Sequence, residues 1–177
     1  MNARETDASR APVLPDVLQP GLDVVFCGTG AGRRSAEVGA YYAGPGNRFW
    51  RTLAEIGLTP RLFSPQEFRE LPAFGIGLTD IAKQHVGPDH DIDPARSDAD
   101  GLKARIAAAA PGVLAFTSKR AAALYFGCPT RDLAYGLQGP KIETTRIHVL
   151  PSPSGAARGF WSIDPWAALA RATRGAS

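Results

Sequence analysis

The sequence predicts an α/β protein, built as a three-layer α/β/α sandwich around a mostly parallel, four-stranded central sheet. Four short apolar runs are continuous rather than alternating in polarity, which is typical of strands buried on both faces of a parallel sheet. Segments with helical periodicity lie between these runs, so strands and helices alternate along the chain. The chain has 177 residues, of which 44% are apolar, which suffices for one domain, expected at residues 21–177.

The predicted elements follow one another in a simple order. Strands are expected at residues 22–27, 74–78, 113–117 and 146–150. Helices are expected at residues 47–56, 99–110, 119–126 and 165–173. Open α/β sheets bind their ligands at the carboxyl ends of the strands. The loops that follow the strands are therefore expected to carry the functional residues.

The first twenty residues are rich in Pro, Asp and Arg, and we predict that they form a flexible N-terminal arm. They lack the apolar run of a signal peptide or a membrane span, so we expect a cytoplasmic protein with no membrane partner. Cys27 and Cys128 are the only cysteines, which leaves no disulfide framework and no four-cysteine metal site. A formal net charge of +3 is compatible with a polyanionic partner but does not require one.

Residues 85–98 form a polar, acidic segment that we predict to be a surface loop. Its aspartates and two histidines could suggest a metal site. Pro88 and Pro94 interrupt any helical spacing of ligands, so no metal is expected there.

A glycine-rich loop follows the first predicted strand, with the sequence Gly-Thr-Gly-Ala-Gly at residues 28–32. Glycines allow a sharp turn and a close approach of the backbone to a ligand. Gly28 and Gly30 lack a third glycine in dinucleotide-binding register, and no Gly-Lys-Ser/Thr follows, so a phosphate loop is not favoured. On this loop alone, a tight strand-to-helix turn without ligand remains an alternative.

The next twenty residues add a second signal, because Tyr42 is followed by Ala-Gly-Pro-Gly-Asn47-Arg-Phe-Trp. Together with the glycine loop, this resembles the first motif of the mismatch-specific (thymine/uracil) branch of the uracil-DNA glycosylase superfamily. There, a GINPG-like loop precedes an aromatic residue and a Pro-x-Asn-Arg-Phe-Trp helix start. The resemblance implies that Thr29, Gly30, Tyr42 and Asn47 bind a flipped base, with the Tyr42 ring stacking on it. The alternatives are a core role for Tyr42 and a helix-capping role for Asn47.

A second motif follows the last predicted strand, at residues 148–160. Its small and hydroxyl-bearing residues leave backbone N–H groups free for phosphate. It resembles the second motif of the superfamily, NPSGLSR in the mismatch-specific branch and HPSPLSxYRGF in the uracil-specific branch. The resemblance implies DNA contacts by five residues of this loop and by Ser35 of the first: Ser152, Ser154, Gly155, Ala156 and Arg158. Ala156 stands where the mismatch-specific branch has a leucine wedge, so Arg158 is expected to take over part of that role.

The catalytic residues of the superfamily are missing from both motifs. Gly30 stands at the position of the usual Asn or Asp, and Leu150 at that of the histidine in the uracil-specific branch. Asp80, after the second predicted strand, is our first candidate to hold water and stabilise a cationic sugar, with helix capping as the alternative. Glu37 is the second candidate, since it could fold over the base, although such a residue is more often solvated.

The sequence thus predicts a monofunctional DNA glycosylase that excises uracil, acts on DNA as a monomer and needs no cofactor or metal. Only Lys83 lies near a motif, which argues against a Schiff-base lyase step. Two alternatives stay open. One is a catalytically silent relative that binds lesions or abasic sites, and the other is a glycosylase for a deaminated purine such as hypoxanthine.

Overall fold

The computed structural model describes residues 11–175. Five strands form one sheet in the order β2-β1-β3-β5-β4. The strands are β1 (Val24–Gly28), β2 (Ile76–Asp80), β3 (Val113–Phe116), β4 (Gly136–Ile142) and β5 (Thr145–Val149). The first three and β5 run parallel, and β4 pairs antiparallel with β5. The predicted α/β sandwich with a mostly parallel sheet is confirmed.

Five α-helices connect and cover the strands. They are α1 (Arg33–Val38), α2 (Phe49–Glu55), α3 (Ala99–Ala109), α4 (Lys119–Phe126) and α5 (Asp164–Arg174). Helices α3 and α4 start at side-chain caps, since Asp98 Oδ1 accepts from the Gly101 N–H at 2.8 Å and Ser118 Oγ from the Ala121 N–H at 3.0 Å. No helix within residues 11–175 is both long and apolar enough to cross a membrane.

The core lies on both faces of the sheet, as expected for three layers. On one face, Phe26 of β1 packs with Phe49 of α2 and Trp166 of α5. On the other, Cys27 of β1 lies in a cluster with Ile106 of α3 and further residues of α4. Strands β1, β2 and β3 are buried at every position, which explains their continuous apolar runs.

The prediction of four strands is wrong, because β4 was missed. This strand has the sequence GLQGPKI, and most of its residues are exposed or only partly buried. It lies at the edge of the sheet, where a proline and two glycines are tolerated because one side of the strand has no partner. An edge strand of this composition lacks the apolar signal on which the other predictions depended.

Several short helical segments were also missed, among them α1 and the longest 3-10 helix of the described residues. Helix α1 has six residues, of which only Ser35 is buried, so it carries no apolar stripe. A 3-10 helix, Pro65–Phe74, runs through the expected start of the second strand and ends at Gly75, which is in the left-handed region at φ 75°. Strand β2 consequently begins at Ile76 rather than at residue 74.

Half of the predicted flexible arm is packed on the domain, in contrast to the expectation. Residues 13–17, called here the N-terminal strap, contact the end of β2: the Val13 N–H donates to Lys83 O at 2.8 Å, and Val17 pairs with Leu78. Leu14 is 2% exposed and belongs to the core. Apolar residues at 13, 14 and 17 supply this packing, which the surrounding prolines and charges obscured. Residues 1–10 of the arm lie outside the described residues.

Candidate functional site

The carboxyl ends of β1, β2, β3 and β5 meet at one edge of the sheet, where a cavity of about 160 Å³ opens. One water molecule needs ~10–15 Å³ on the same measure, so the cavity has room for a ligand of several heavy atoms. Eight residues selected from the sequence line it: Thr29, Gly30, Ser35, Tyr42, Asn47, Asp80, Ser152 and Ser154. The two motif loops therefore face a single cavity.

Asp80 is the last residue of β2, and only 5% of it is exposed. Burial raises the pKa of Asp80 from 3.8 to about 6; the positive charges of Lys83 and Arg105 oppose this rise, and the negative charges of Asp16 and Asp89 add to it. At neutral pH the carboxylate is therefore mostly ionised although it is desolvated. A buried carboxylate in a cavity wall can stabilise a developing positive charge or orient water.

Gly28 leaves the space that the Asp80 side chain occupies. The two residues are register partners in β1 and β2. A Cβ atom at position 28 would lie 2.7 Å from Asp80 Oδ1 and 3.3 Å from the Tyr42 hydroxyl oxygen. Any other residue at position 28 would displace one of these two groups, so the glycine is required for their approach.

Tyr42 combines a core contact with a cavity surface. Its ring stacks on Phe49 with the centroids 3.9 Å apart and the planes at 20°. Its hydroxyl oxygen lies 3.1 Å from Thr117 Oγ1, and burial raises the pKa of Tyr42 well above its ordinary value, so the phenol stays neutral. The backbone of Tyr42 has a φ of 52°, in the left-handed region that a tyrosine rarely adopts. The core interpretation of Tyr42 thus describes part of its environment, and stacking of its ring on a flipped base stays a prediction.

Ser35 and Asn47 hold the loop that carries Tyr42. Ser35 Oγ accepts a hydrogen bond from the Ala43 N–H at 3.0 Å. Asn47 Oδ1 accepts from the Phe49 N–H at 2.9 Å, although the N-cap residue of α2 is Arg48 and not Asn47. Both residues line the cavity, so their polar groups also face a potential ligand.

The serines of the second motif stabilise their own loop. Ser152 Oγ accepts from the Ser154 N–H, and Ser154 Oγ accepts from the Ala156 N–H, both at 3.3 Å. These are local turns of the kind that serine commonly forms. Each hydroxyl retains its proton as a hydrogen-bond donor, which suits contact with phosphate or base oxygens.

The two motif loops contact each other directly. The Arg48 N–H donates to Pro153 O at 2.8 Å. A Cβ atom at Gly155 would lie 2.8 Å from Pro45 O and 3.3 Å from the Gly46 backbone. Gly155 therefore allows the loops to close against one another, which fixes one wall of the cavity relative to the other.

The structure explains both departures from the superfamily motifs. A Cβ atom at Gly30 would lie 3.0 Å from Ala82 O and 3.1 Å from His85 Cβ, so a larger residue requires this neighbouring segment to move. Leu150 is fully buried in the core cluster that contains Trp166. One usual catalytic position thus holds Gly30, which lies close to neighbouring backbone, and the other holds Leu150, which packs in the core.

Three predicted site residues, Glu37, Gly155 and Ala156, are not among the residues that line the cavity. Glu37 is on α1, where its carboxylate lies 3.4 Å from Arg34 NH1 and 66% of the side chain is exposed, so it does not fold over the cavity. Ala156 is exposed and, like Gly155, does not line the cavity. The backbone of Arg158 begins a 3-10 helix, Arg158–Phe160, and its side chain lies outside what the structure describes.

Among the cavity residues that were not selected from the sequence are Thr117, Ser118 and Asp89. Thr117 and Ser118 directly follow β3, and the rule that loops after strands carry function could have identified them. Asp89 comes from the acidic segment predicted to be a surface loop. Its carboxylate accepts a short hydrogen bond from Thr29 Oγ1, and it adds a second carboxylate to the cavity. No feature of the sequence around Asp89 distinguishes it from its acidic neighbours.

Within residues 11–175, no group of three or more His, Cys, Asp or Glu side chains is arranged to hold a metal ion. The polar groups of the cavity are carboxylates, hydroxyls, an amide and backbone groups. Such groups can recognise the edge of a flat heterocycle and can stabilise charge.

These features define an α/β protein with a carboxylate-bearing cavity at the carboxyl edge of a mostly parallel sheet. The family model of the uracil DNA glycosylase superfamily matches residues 15–170, and the chain belongs to this superfamily. The fold is similar to the solution NMR structure of a proposed uracil DNA glycosylase from Methanosarcina acetivorans, with a TM-score of 0.62 and 24% identity. That match covers 91% of this chain and 96% of the other.

Proposed function

We propose that this protein is a monofunctional DNA glycosylase of the mismatch-specific type, which excises uracil from DNA in base excision repair. The observation that carries the proposal is the buried Asp80 carboxylate beside the Tyr42 ring, in the cavity of a uracil DNA glycosylase superfamily member. The superfamily supports action on DNA, and the choice of uracil is the proposed part.

Binding places a flipped deoxyuridine in the cavity with its base against Tyr42. One side of the ring is supported by Phe49 at 3.9 Å, so the ring is rigid before the base arrives. The hydroxyl groups of Ser152 and Ser154 contact the DNA backbone near the flipped nucleotide. The net charge of +3 favours this association.

Cleavage breaks the bond between the sugar and the base, and the bonding electron pair leaves with the base. The sugar becomes cationic, water adds to it, and the proton that this water loses passes by way of solvent to the departed base anion. The Asp80 carboxylate stabilises the cationic sugar and orients the water, because its negative charge acts at low dielectric. Backbone N–H groups of residues 28–32 and the Asn47 side chain stabilise the negative charge on the departing base.

A monofunctional reaction is favoured by the position of Lys83. Its Nζ lies 2.7 Å from Asp16 Oδ1 and donates to the Tyr41 hydroxyl at 3.1 Å. Lys83 does not line the cavity. An ion-paired ammonium outside the cavity is not placed to attack the sugar as a free amine.

The two alternatives each have an observation in their favour. Gly30, in place of the usual Asn or Asp, removes a polar side chain from the first loop, and this altered loop favours a different base such as hypoxanthine. The loss of both usual catalytic positions, at Gly30 and Leu150, favours a silent lesion-binding relative.

A single-turnover assay on duplex and single-stranded DNA containing uracil, thymine or hypoxanthine tests the proposal. We expect uracil to be released fastest and the DNA strand to stay intact until alkali treatment. Preferential release of hypoxanthine would show that hypoxanthine, and not uracil, is the substrate. Tight binding of a lesion without release of any base would establish the silent relative instead.

A further inference from the structure

A cluster of three charged side chains and one threonine lies next to Asp80, outside the cavity. It comprises Asp16, Thr79, Lys83 and Arg105 and is called here the Asp16 cluster. Asp16 Oδ1 lies 2.7 Å from Lys83 Nζ and accepts from Thr79 Oγ1 at 2.7 Å. Asp16 Oδ2 lies 3.2 Å from Arg105 Nε. One carboxylate of the N-terminal strap thus holds two cations from different elements.

The Asp16 cluster is joined to Asp80 through the backbone. Arg105, on α3, donates from its NH2 group to Asp80 O at 3.1 Å. Thr79 precedes Asp80 in β2, and the strap pairs with the same strand through Val17 and Leu78. The Asp16 cluster therefore contacts the backbone of Asp80, while the carboxyl group of Asp80 faces the cavity.

The net positive charge of the Asp16 cluster offsets the negative charge of ionised Asp80. Asp16 contributes one negative charge, and Lys83 and Arg105 contribute two positive charges. With ionised Asp80 included, the group is neutral overall. The other ionisable groups that face Asp80 are Asp89, which accepts from Thr29 in the cavity, and the uncharged side chains of Cys27, Tyr41 and Tyr42.

We propose that Asp16 is a positioning residue of the glycosylase reaction, whose negative charge offsets one of the two cations, Lys83 and Arg105, beside β2 and so sets the charge balance around Asp80. This inference rests on the proposed function for its consequence in catalysis. It gives the N-terminal strap a role at the site without any contact to substrate.

The two partners of the Asp16–Lys83 ion pair have opposite effects on Asp80. The negative charge of Asp16 raises the pKa of Asp80, and the positive charge of Lys83 lowers it. Removing Asp16 leaves two unbalanced cations and favours ionised Asp80, whereas removing Lys83 leaves an unbalanced anion and favours the protonated form. A merely structural role predicts the same direction for both variants, because loosening the segment admits water and lowers the pKa in each case.

The test is an NMR titration of the Asp80 carboxyl carbon in the full chain, with the signal assigned by its loss in Asp80→Asn. We expect the titration midpoint to move down by about one pH unit in Asp16→Asn and up by about one unit in Lys83→Gln. Asp132→Asn, which removes an exposed carboxylate 4.0 Å from Arg131, is the matched control and leaves the midpoint in place.

Shifts in the same direction, or no shift in either variant, would overturn the inference. If Asp16→Asn does not fold, Asp16→Ser replaces it, and the same downward shift is required, opposite to that of Lys83→Gln. The titration needs no catalytic activity, so it tests the role of Asp16 even if the protein releases no base. A failure of this inference and a failure of the proposed function are therefore distinguishable. In a protein that does release uracil, the acid limb of the pH–rate profile must move with the NMR midpoint.

Discussion

At the scale of single residues, burial determines the protonation behaviour of Asp80 and Tyr42. Asp80 is nearly inaccessible but ionised at neutral pH, since its pKa is about 6. Tyr42 is neutral, supported by Phe49 and held by a hydroxyl contact to Thr117. A fixed negative charge beside a rigid flat surface suits a reaction that separates a flat anion from a cationic sugar.

The Tyr42 ring is predicted to act by stacking rather than through its hydroxyl group. Tyr42→Ala removes the surface for the base, and loss of one base–aromatic stack costs about 1–3 kcal/mol, or roughly 5- to 150-fold in the single-turnover kcat/KM. Tyr42→Phe keeps the ring and loses only the contact to Thr117 Oγ1, which is 3.1 Å long.

We therefore expect Tyr42→Phe to retain most of the activity of the wild type. Thermal unfolding of both variants shows whether the domain stays folded, because Tyr42 also contacts Phe49. Equal losses in the two variants would show that the hydroxyl group, and not the ring, is required.

At the scale of elements, the site depends on two loops that touch through Gly155. Gly155 has no side chain, so its backbone can lie close to Pro45 O. A Cβ atom at this position would be only 2.8 Å from that oxygen. Because a backbone atom cannot swing aside as a flexible side chain can, a larger residue must push the loops apart. The cavity walls carried by β5 and α2 would separate with them.

Gly155→Val is predicted to lower activity by about tenfold or more, since small misplacements of positioned groups have large effects on rate. The free energy of unfolding is expected to change much less, because the core clusters lie away from this contact. Gly139→Ala on β4 is the control, since a Cβ atom there meets nothing within 4 Å. Wild-type rates in Gly155→Val would contradict the proposed coupling of the loops.

Prediction from sequence succeeded where burial on both faces leaves a continuous apolar run, as in β1, β2, β3 and β5. It failed for β4, whose edge position permits Gly139 and Pro140, and for α1, which has no apolar stripe. For the site, residues next to strand ends, such as Asp80, were found. Asp89 could not be found, because only the folding of its loop against Thr29 brings it into the cavity.

At the scale of the whole molecule, the Asp80 carboxylate is expected to destabilise the fold at neutral pH. The pKa of Asp80 in the folded chain, about 6, lies above its ordinary value of 3.8. Its contribution to stability is therefore fully present below pH 3.8 and is lost as pH rises through about 6, where the buried group ionises.

Asp80→Asn is accordingly predicted to raise the free energy of unfolding above pH 6, by an upper limit of about 3 kcal/mol for a shift of two pH units. Denaturant unfolding at acid and at neutral pH measures this difference, which should disappear below pH 3.8. Destabilisation at neutral pH would show that the ionised carboxylate contributes favourable contacts that outweigh its desolvation.

The central claim is that ionised Asp80 stabilises the transition state of base release. Its most direct test is the pH dependence of the single-turnover rate on uracil-containing duplex DNA, for wild type, Asp80→Asn and the control Asp132→Asn. The wild type and the control should gain activity as pH rises through about 6 and then level off, whereas Asp80→Asn should be about a hundredfold slower or more, without that rise. A wild-type rate in Asp80→Asn, or a wild-type profile that is flat across this range, would contradict the assignment.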